Sequence, residues 1–241
     1  MNDQSKTPPA GNPPNLVAGI VSRFAAIVIS LGLQMAILLL AAGRTDWTWA
    51  WVYFGISLAI VLVNSALLLP TNPETIAERG RLRMVENWDK LVSALWAVAL
   101  YLALPLVAGL DARYGWTRAP STAWNIAGAI VYAAGLGLFS WAMISNAYFA
   151  TSARIQSDRG QTVCRTGPYR FVRHPGYAGT ILQAPGIAIL LGSLWALVPA
   201  VAAVLCIIAR TVMEDRMLQD GLAGYREFAK DVRYRIVPGI W

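Results

Sequence analysis

Arg210 and Glu214 stand four residues apart where a long apolar stretch gives way to Arg210-Thr211-Val212-Met213-Glu214-Asp215. On a helix that spacing puts both side chains on one face. They can form an ion pair, with Arg210 snorkelling to the membrane surface. They can equally serve a site, as ionisable groups at membrane depth commonly do. A second group lies upstream. Thr166-Gly167-Pro168-Tyr169-Arg170-Phe171-Val172-Arg173-His174-Pro175-Gly176-Tyr177-Ala178-Gly179 gathers the chain's one histidine with glycines, prolines and tyrosines. Gly167-Pro168 signals a turn, and Pro175 suits the first position of a helix, where its missing N–H costs nothing. His174 then falls at the N-cap boundary, beside backbone donors that favour an anionic group. Glycine lets backbone approach a ligand closely, and tyrosine faces attract cations. A third polar stretch, Pro70–Lys90, opens with Asn72-Pro73 before Glu74-Thr75-Ile76-Ala77-Glu78-Arg79. It reads as a capped interfacial helix or as a charged surface connector.

The elements that must position these residues are apolar. Of 241 residues, 56% are hydrophobic and 14% charged, against roughly 25% charged in a soluble domain. An ordinary soluble enzyme, a disordered tail and a conventional DNA-binding domain are excluded. Two cysteines, Cys164 and Cys206, make neither a disulfide scaffold nor a four-thiolate zinc site, and one histidine excludes membrane di-iron chemistry. The chain is expected to be an all-α polytopic membrane bundle. A crossing needs about 20 apolar residues, and Ile20–Ala42, Trp49–Leu69, Leu91–Leu110 and Trp124–Ala147 supply them. Tyr177–Leu191, short and broken by Pro185, and Leu194–Met213 follow, joined by Gly192-Ser193 as a tight hairpin. Six crossings are expected; re-entry of the fifth segment is the alternative its length permits.

Charge gives the orientation. With six crossings and both termini cytoplasmic, Arg44, Arg113 and Arg118 alone of the 20 basic residues lie outside, as the positive-inside rule asks. Trp47, Trp49, Trp51, Trp116, Trp124 and Trp195 fall at the predicted outer boundaries. The net charge of +7 then faces anionic headgroups, not nucleic acid. Residues 1–15, with Pro8, Pro9, Pro13 and Pro14, are expected to be a disordered tail, not a cleaved signal. Residues 16–147 hold four spans with the 70–90 loop, and 148–241 hold the polar motifs, the hairpin 177–213 and an amphipathic, basic, aromatic tail suited to lie on the membrane or fold over a site. A multi-pass protein of the bacterial inner membrane is expected.

Gly167-Pro168-Tyr169, Arg173-His174-Pro175-Gly176-Tyr177-Ala178-Gly179, an apolar hairpin, Arg210 with Glu214-Asp215, and Gly224-Tyr225 follow one another in an order that resembles the isoprenylcysteine carboxyl methyltransferase family and related membrane phospholipid methyltransferases. The resemblance covers about Arg154 to Pro238, a third of the chain. It implies an S-adenosylmethionine-dependent methyltransferase, releasing S-adenosylhomocysteine, with its cofactor in a cytoplasm-facing pocket and no Rossmann unit. Carried over, Gln156, the backbone of Gln161, Thr162, Val163 and Cys164, then Tyr169, His174, Pro175, Gly176 and Tyr177 would contact the cofactor, with Glu214 joining them. Arg210 would face a lipophilic or prenylated acceptor entering sideways from the bilayer. Arg210 and Glu214 are the catalytic candidates, and no metal is implied. Gly160-Gln161 stands where the family often has Gly-His, Glu214-Asp215 where Glu-Glu is usual, and Phe228 where a tyrosine is found.

Methyl transfer from a sulfonium asks mainly for in-line alignment. A carboxylate acceptor held by Arg210 needs no general base, and His174 is then a cofactor ligand. A phospholipid amine must lose a proton, which would make Glu214 or Asp215 the base. A membrane sterol or enone reductase binding NADPH through Arg154, Arg159, Arg165 and Arg170, and a non-catalytic scaffold, are the competing classes.

Overall fold

The computed structural model describes residues 16–80, 86–118 and 120–241. The expected tail Met1–Asn15 and residues 81–85 of the Pro70–Lys90 loop lie outside them. Among the described residues every regular element is helical. In chain order these are α1 (Leu16–Ala42), α2 (Thr48–Thr71), α3 (Pro73–Arg79), α4 (Asn87–Ala97), α5 (Leu104–Tyr114), α6 (Thr122–Ser145), α7 (Pro175–Leu190), α8 (Leu197–Gly221) and α9 (Tyr225–Asp231). A π-helical turn, Val98–Ala103, joins α4 to α5 into one rod. Pro105 explains it: proline has no N–H for the carbonyl four residues back. The ladder slips ahead of it, and the Leu104 N–H reaches the Ala99 carbonyl instead.

Five helices are long and apolar enough to cross a bilayer: α1, α2, the α4–α5 rod, α6 and α8. The expected sixth, α7, has 16 residues and is about 24 Å long at the α-helical rise, short of the roughly 30 Å hydrocarbon core. It lies antiparallel along α6. The Asn125 side chain at the start of α6 donates to the Leu190 carbonyl at 2.9 Å, and near the far end Gly135 meets Gly179. Glycines make the approach possible. A Cβ on Gly128 would come within 2.1 Å of the Leu190 nitrogen, and one on Gly186 within 2.7 Å of the Tyr132 nitrogen. Small residues that admit a neighbouring backbone substitute, inside a membrane, for the hydrophobic drive that lipid removes.

The two ends of the bundle differ. At one, the turns after α1, α5 and α7 meet: Asp111 accepts from Thr117 N–H at 2.6 Å and from the Ser193 hydroxyl, and Trp116 packs edge-on against Trp195. At the other lie α3, the 146–174 connection, the end of α8, and α9. There the Asn72 side chain accepts from Thr75 N–H and Pro73 opens α3, the capped helix that the sequence predicts. α8 runs past the expected end at Met213 to Gly221, so Glu214 and Asp215 are helical residues. The capping position of His174 before Pro175 is as expected.

Candidate functional site

The 146–174 connection folds back over the ends of α6, α7 and α8, and the space it leaves is a cleft with about 800 Å³ of empty volume, part of it open to solvent. Its lining includes Gln156, Gln161, Thr162, Val163, Cys164, Tyr169, His174, Gly176, Tyr177 and Glu214. Of the residues expected around a cofactor, Pro175 alone does not line it; it is buried at the first position of α7. Local bonding holds the loop in shape. The Gln161 side chain accepts from the Gln156 N–H at 2.6 Å. Gln156, 1% exposed, donates to the Tyr148 carbonyl and accepts from Arg159, each at 2.6 Å. Its side chain is therefore already bonded within the protein. Gly160, at φ +61°, supplies the left-handed turn between them. Tyr169 accepts from Asn146 at 3.2 Å, and burial pushes its phenol well up.

Tyr177 is the hinge of the site. Its hydroxyl donates to Glu214, its ring stacks on His174 with centroids 5.6 Å apart, and the Arg210 guanidinium lies 5.5 Å from its centroid. The i,i+4 ion pair that the sequence allowed between Arg210 and Glu214 is thus replaced. Arg210 pairs with Asp89 at 2.8 Å and donates to the Thr151 carbonyl at 2.8 Å. Asp89, 1% exposed, also accepts from the Ala153 N–H at 2.9 Å. It ties α4, α8 and the 146–174 connection together.

Asp215 is a structural hub. Fully buried, it receives Arg173 through Nε at 2.8 Å and Nη2 at 3.1 Å. Arg235 reaches it at 2.9 Å, the Tyr225 hydroxyl at 3.1 Å and His174 Nε2 at 3.2 Å. Arg173 also donates to the Val232 and Arg233 carbonyls, each at 2.9 Å. Charged groups at this depth need such saturation. Asp215 lines neither the cleft nor the larger cavity described below. Its oxygens are already committed, so the role of base that its place beside Glu214 allowed does not fit it. The bonds also sew the tail, with Tyr225 and Phe228 walling the cleft, onto the start of α7.

Beyond Tyr177 opens a larger cavity among α1, α2, the α4–α5 rod, α6, α7 and α8, with about 1800 Å³ of empty volume, part of it open to the outside. Phe149, Ala150 and Tyr177 line both spaces. Arg210 lines the larger one and Glu214 the cleft. The walls of the larger cavity are apolar side chains such as Ile27, Val61, Leu136 and Ile187, with Arg23, Arg79 and several amide and hydroxyl groups among them.

Residues 124–223 match the family model for phospholipid methyltransferases. That stretch is similar to the phospholipid methyltransferases over less than half of the chain. The protein is a membrane methyltransferase. No curated protein matches the chain. The matched residues take in most of α6 and all of α7, the pair that fixes His174 and Tyr177.

Of the four arginines that a reductase would use for a phosphate, Arg154 pairs with Glu78 at 2.6 Å and Asp158 at 2.8 Å, Arg159 with Glu74 at 3.5 Å and Arg165 with Asp231 at 2.7 Å. Carboxylates already occupy three of the four. Sequence reading missed Asn146, Tyr148 and Phe149 in the methyltransferase's cleft wall. Asn146-Ala147-Tyr148-Phe149 follows the fourth span without any spacing that marks a site. It missed Asp89 because a lone acid beside Leu91 reads as the flank of a span.

Proposed function

We propose that the protein transfers the methyl group of S-adenosylmethionine to an amphiphile that enters the larger cavity from the bilayer. The observation that carries this reading is the division of the two spaces at Tyr177, with Glu214 on one side and Arg210 on the other. The residues of the cleft suit the cofactor. One carboxylate, Glu214, and the tyrosine faces of Tyr148, Tyr169 and Tyr177 favour a cation. Gly176 keeps the floor open, since a Cβ there would come within 2.8 Å of the Phe149 ring. When bound, S-adenosylmethionine supplies an electrophilic methyl on a sulfonium whose sulfur leaves with the bonding pair. Glu214, oriented by the Tyr177 hydroxyl, offsets the positive charge. Arg210, braced by Asp89, fixes the acceptor side of the doorway. The Tyr177 and Phe149 rings exclude water between them, and in-line positioning does the rest.

A carboxylate acceptor fits this arrangement: it is already ionised and needs no base, and no Asp or Glu among the described residues lines the larger cavity. A phospholipid amine is the second reading, favoured by the description of the matched family; it would pass a proton through Tyr177 to Glu214. Residues 148–241 with α6 form the methyltransferase core, and the cleft and both termini face the cytoplasm, in a bacterial cell across the inner membrane.

Calorimetry with S-adenosylhomocysteine on detergent-purified protein tests the cofactor half. Glu214→Gln is expected to weaken binding about tenfold, the loss of one charge-assisted contact. Arg210→Ala should leave binding intact and abolish turnover. Absence of binding by folded wild type would refute the assignment of the cofactor. Membranes incubated with methyl-labelled cofactor then separate the acceptors: label released as methanol by mild alkali marks an ester, and label that resists it marks an N-methyl group.

A further inference from the structure

We propose that Arg79, seconded by Arg23, is the subsite that receives an oxyanion on the methyl acceptor, so that the acceptor is an anionic amphiphile bearing a carboxylate or phosphate. This rests on the methyltransferase reading above and names the substrate class of the same site. Three arginines, Arg23, Arg79 and Arg210, line the larger cavity, and among the described residues its lining contains no acidic side chain. Arg210 is already engaged by Asp89 and the Thr151 carbonyl. Arg79 and Arg23 have no carboxylate at ion-pair distance among the described residues. What holds Arg79 is aromatic: its guanidinium lies 5.3 Å from the Phe139 ring and 5.1 Å from the Phe149 ring. Rings of this kind attract a cation and orient its plane, but leave its positive charge uncancelled.

The backbone puts the two arginines together. α3 lies against the start of α1 so closely that a Cβ on Gly80 would fall 2.1 Å from the Gly19 carbonyl and 2.7 Å from the Arg23 nitrogen. Burial, with Arg23 and Arg210 nearby, holds the Arg79 pKa down to about 9. Like charges concentrated in an apolar chamber are unfavourable until an anion joins them. Guanidinium is well shaped for that, since its fork meets carboxylate or phosphate with two parallel hydrogen bonds. Phe149, which packs under Arg79, also lines the cofactor cleft, so an oxyanion held there sits next to the doorway. The apolar walls beyond take the chain of an amphiphile. A neutral head would leave the cations unpaired, and a bare ammonium would be repelled.

The test uses full-length protein in a neutral detergent, with oleate, oleoyl lysophosphatidate, neutral monoolein and inorganic phosphate as probes and calorimetric affinity as the readout. Wild type is expected to bind oleate or lysophosphatidate about tenfold or more tighter than monoolein, the increment of one charge-assisted pair. Arg79→Gln should erase that preference while leaving monoolein binding unchanged. Arg79→Lys should keep part of it, and Arg23→Gln should show a smaller loss. Equal affinity of wild type for monoolein and both anions overturns the proposal, as does an undiminished preference in folded Arg79→Gln. If Arg79→Gln does not fold, the wild-type preference and Arg23→Gln decide. Inorganic phosphate binding as tightly as lysophosphatidate would show a free-anion site and overturn the amphiphile. S-adenosylhomocysteine binding in the same samples separates the two claims. Its absence beside Arg79-dependent anion selectivity refutes the cofactor reading alone, and the converse refutes only the oxyanion subsite.

Discussion

Asp215 and Glu214 are neighbours in sequence with opposite situations. Successive helical positions point about 100° apart, so the two carboxylates look in different directions. Glu214 looks into the cleft with one bond, from Tyr177. Asp215 looks into protein and meets two arginines, a histidine, a tyrosine and Gln219. The consequences of substitution should differ accordingly. Asp215→Asn leaves Arg173 and Arg235 without their counter-charge, and the cost expected for a broken buried pair is about 3–5 kcal/mol. A thermal melt in detergent should show a large fall in Tm, or no folded protein at all. Glu214→Gln should melt within a few degrees of wild type. If the two melted alike, Asp215 would not be the hub that its bonds describe.

The α6–α7 pair controls the site through glycine. His174 and Tyr177 start α7, and α7 is held at its height by backbone contact with α6 at Gly128, Gly135, Gly179 and Gly186. A Cβ on Gly135 would lie 2.7 Å from the Gly179 carbonyl, whereas one on Gly137 meets nothing within 4 Å. Gly135→Ala should therefore push the helices apart, destabilise by about 1–3 kcal/mol as overpacking does, and weaken S-adenosylhomocysteine binding. Gly137→Ala should change neither quantity. The same pairing explains how a 16-residue helix reaches the far turn: it borrows its path from α6 and needs no span of its own length.

Across the whole molecule, Arg44 and Arg118 lie on turns at one end and Arg113 in the last turn of α5, and the positive-inside rule predicts the remaining basic residues on the opposite side of the membrane. Accessible cysteines test that arrangement. In a chain with Cys164 and Cys206 replaced by serine, Ser121→Cys and Leu194→Cys should react with an impermeant maleimide from one side of sealed vesicles. Ser157→Cys should react only from the other. Leu194→Cys labelling with Ser157→Cys would make α7 re-entrant and leave five crossings.

Part of this was legible in the residues themselves because membranes impose simple rules. A bilayer demands long apolar helices, so the five long helices follow from composition along the chain, whereas the expected sixth crossing meets the 16-residue α7. Local signals persist in the fold: Asn72 caps α3, Pro175 opens α7, and the Arg173-to-Tyr177 motif lies with Gln161–Cys164 around one cleft. What the chain alone could not decide was pairing. Arg210 had Glu214 at helical spacing, yet Asp89, 121 positions earlier, holds it, and Tyr177 takes Glu214. Arg79 read as the end of a surface helix and instead lines the larger cavity. Helical periodicity fixes which side chains share a face, but the partner across the gap is set by helix packing, and packing is a property of the folded whole.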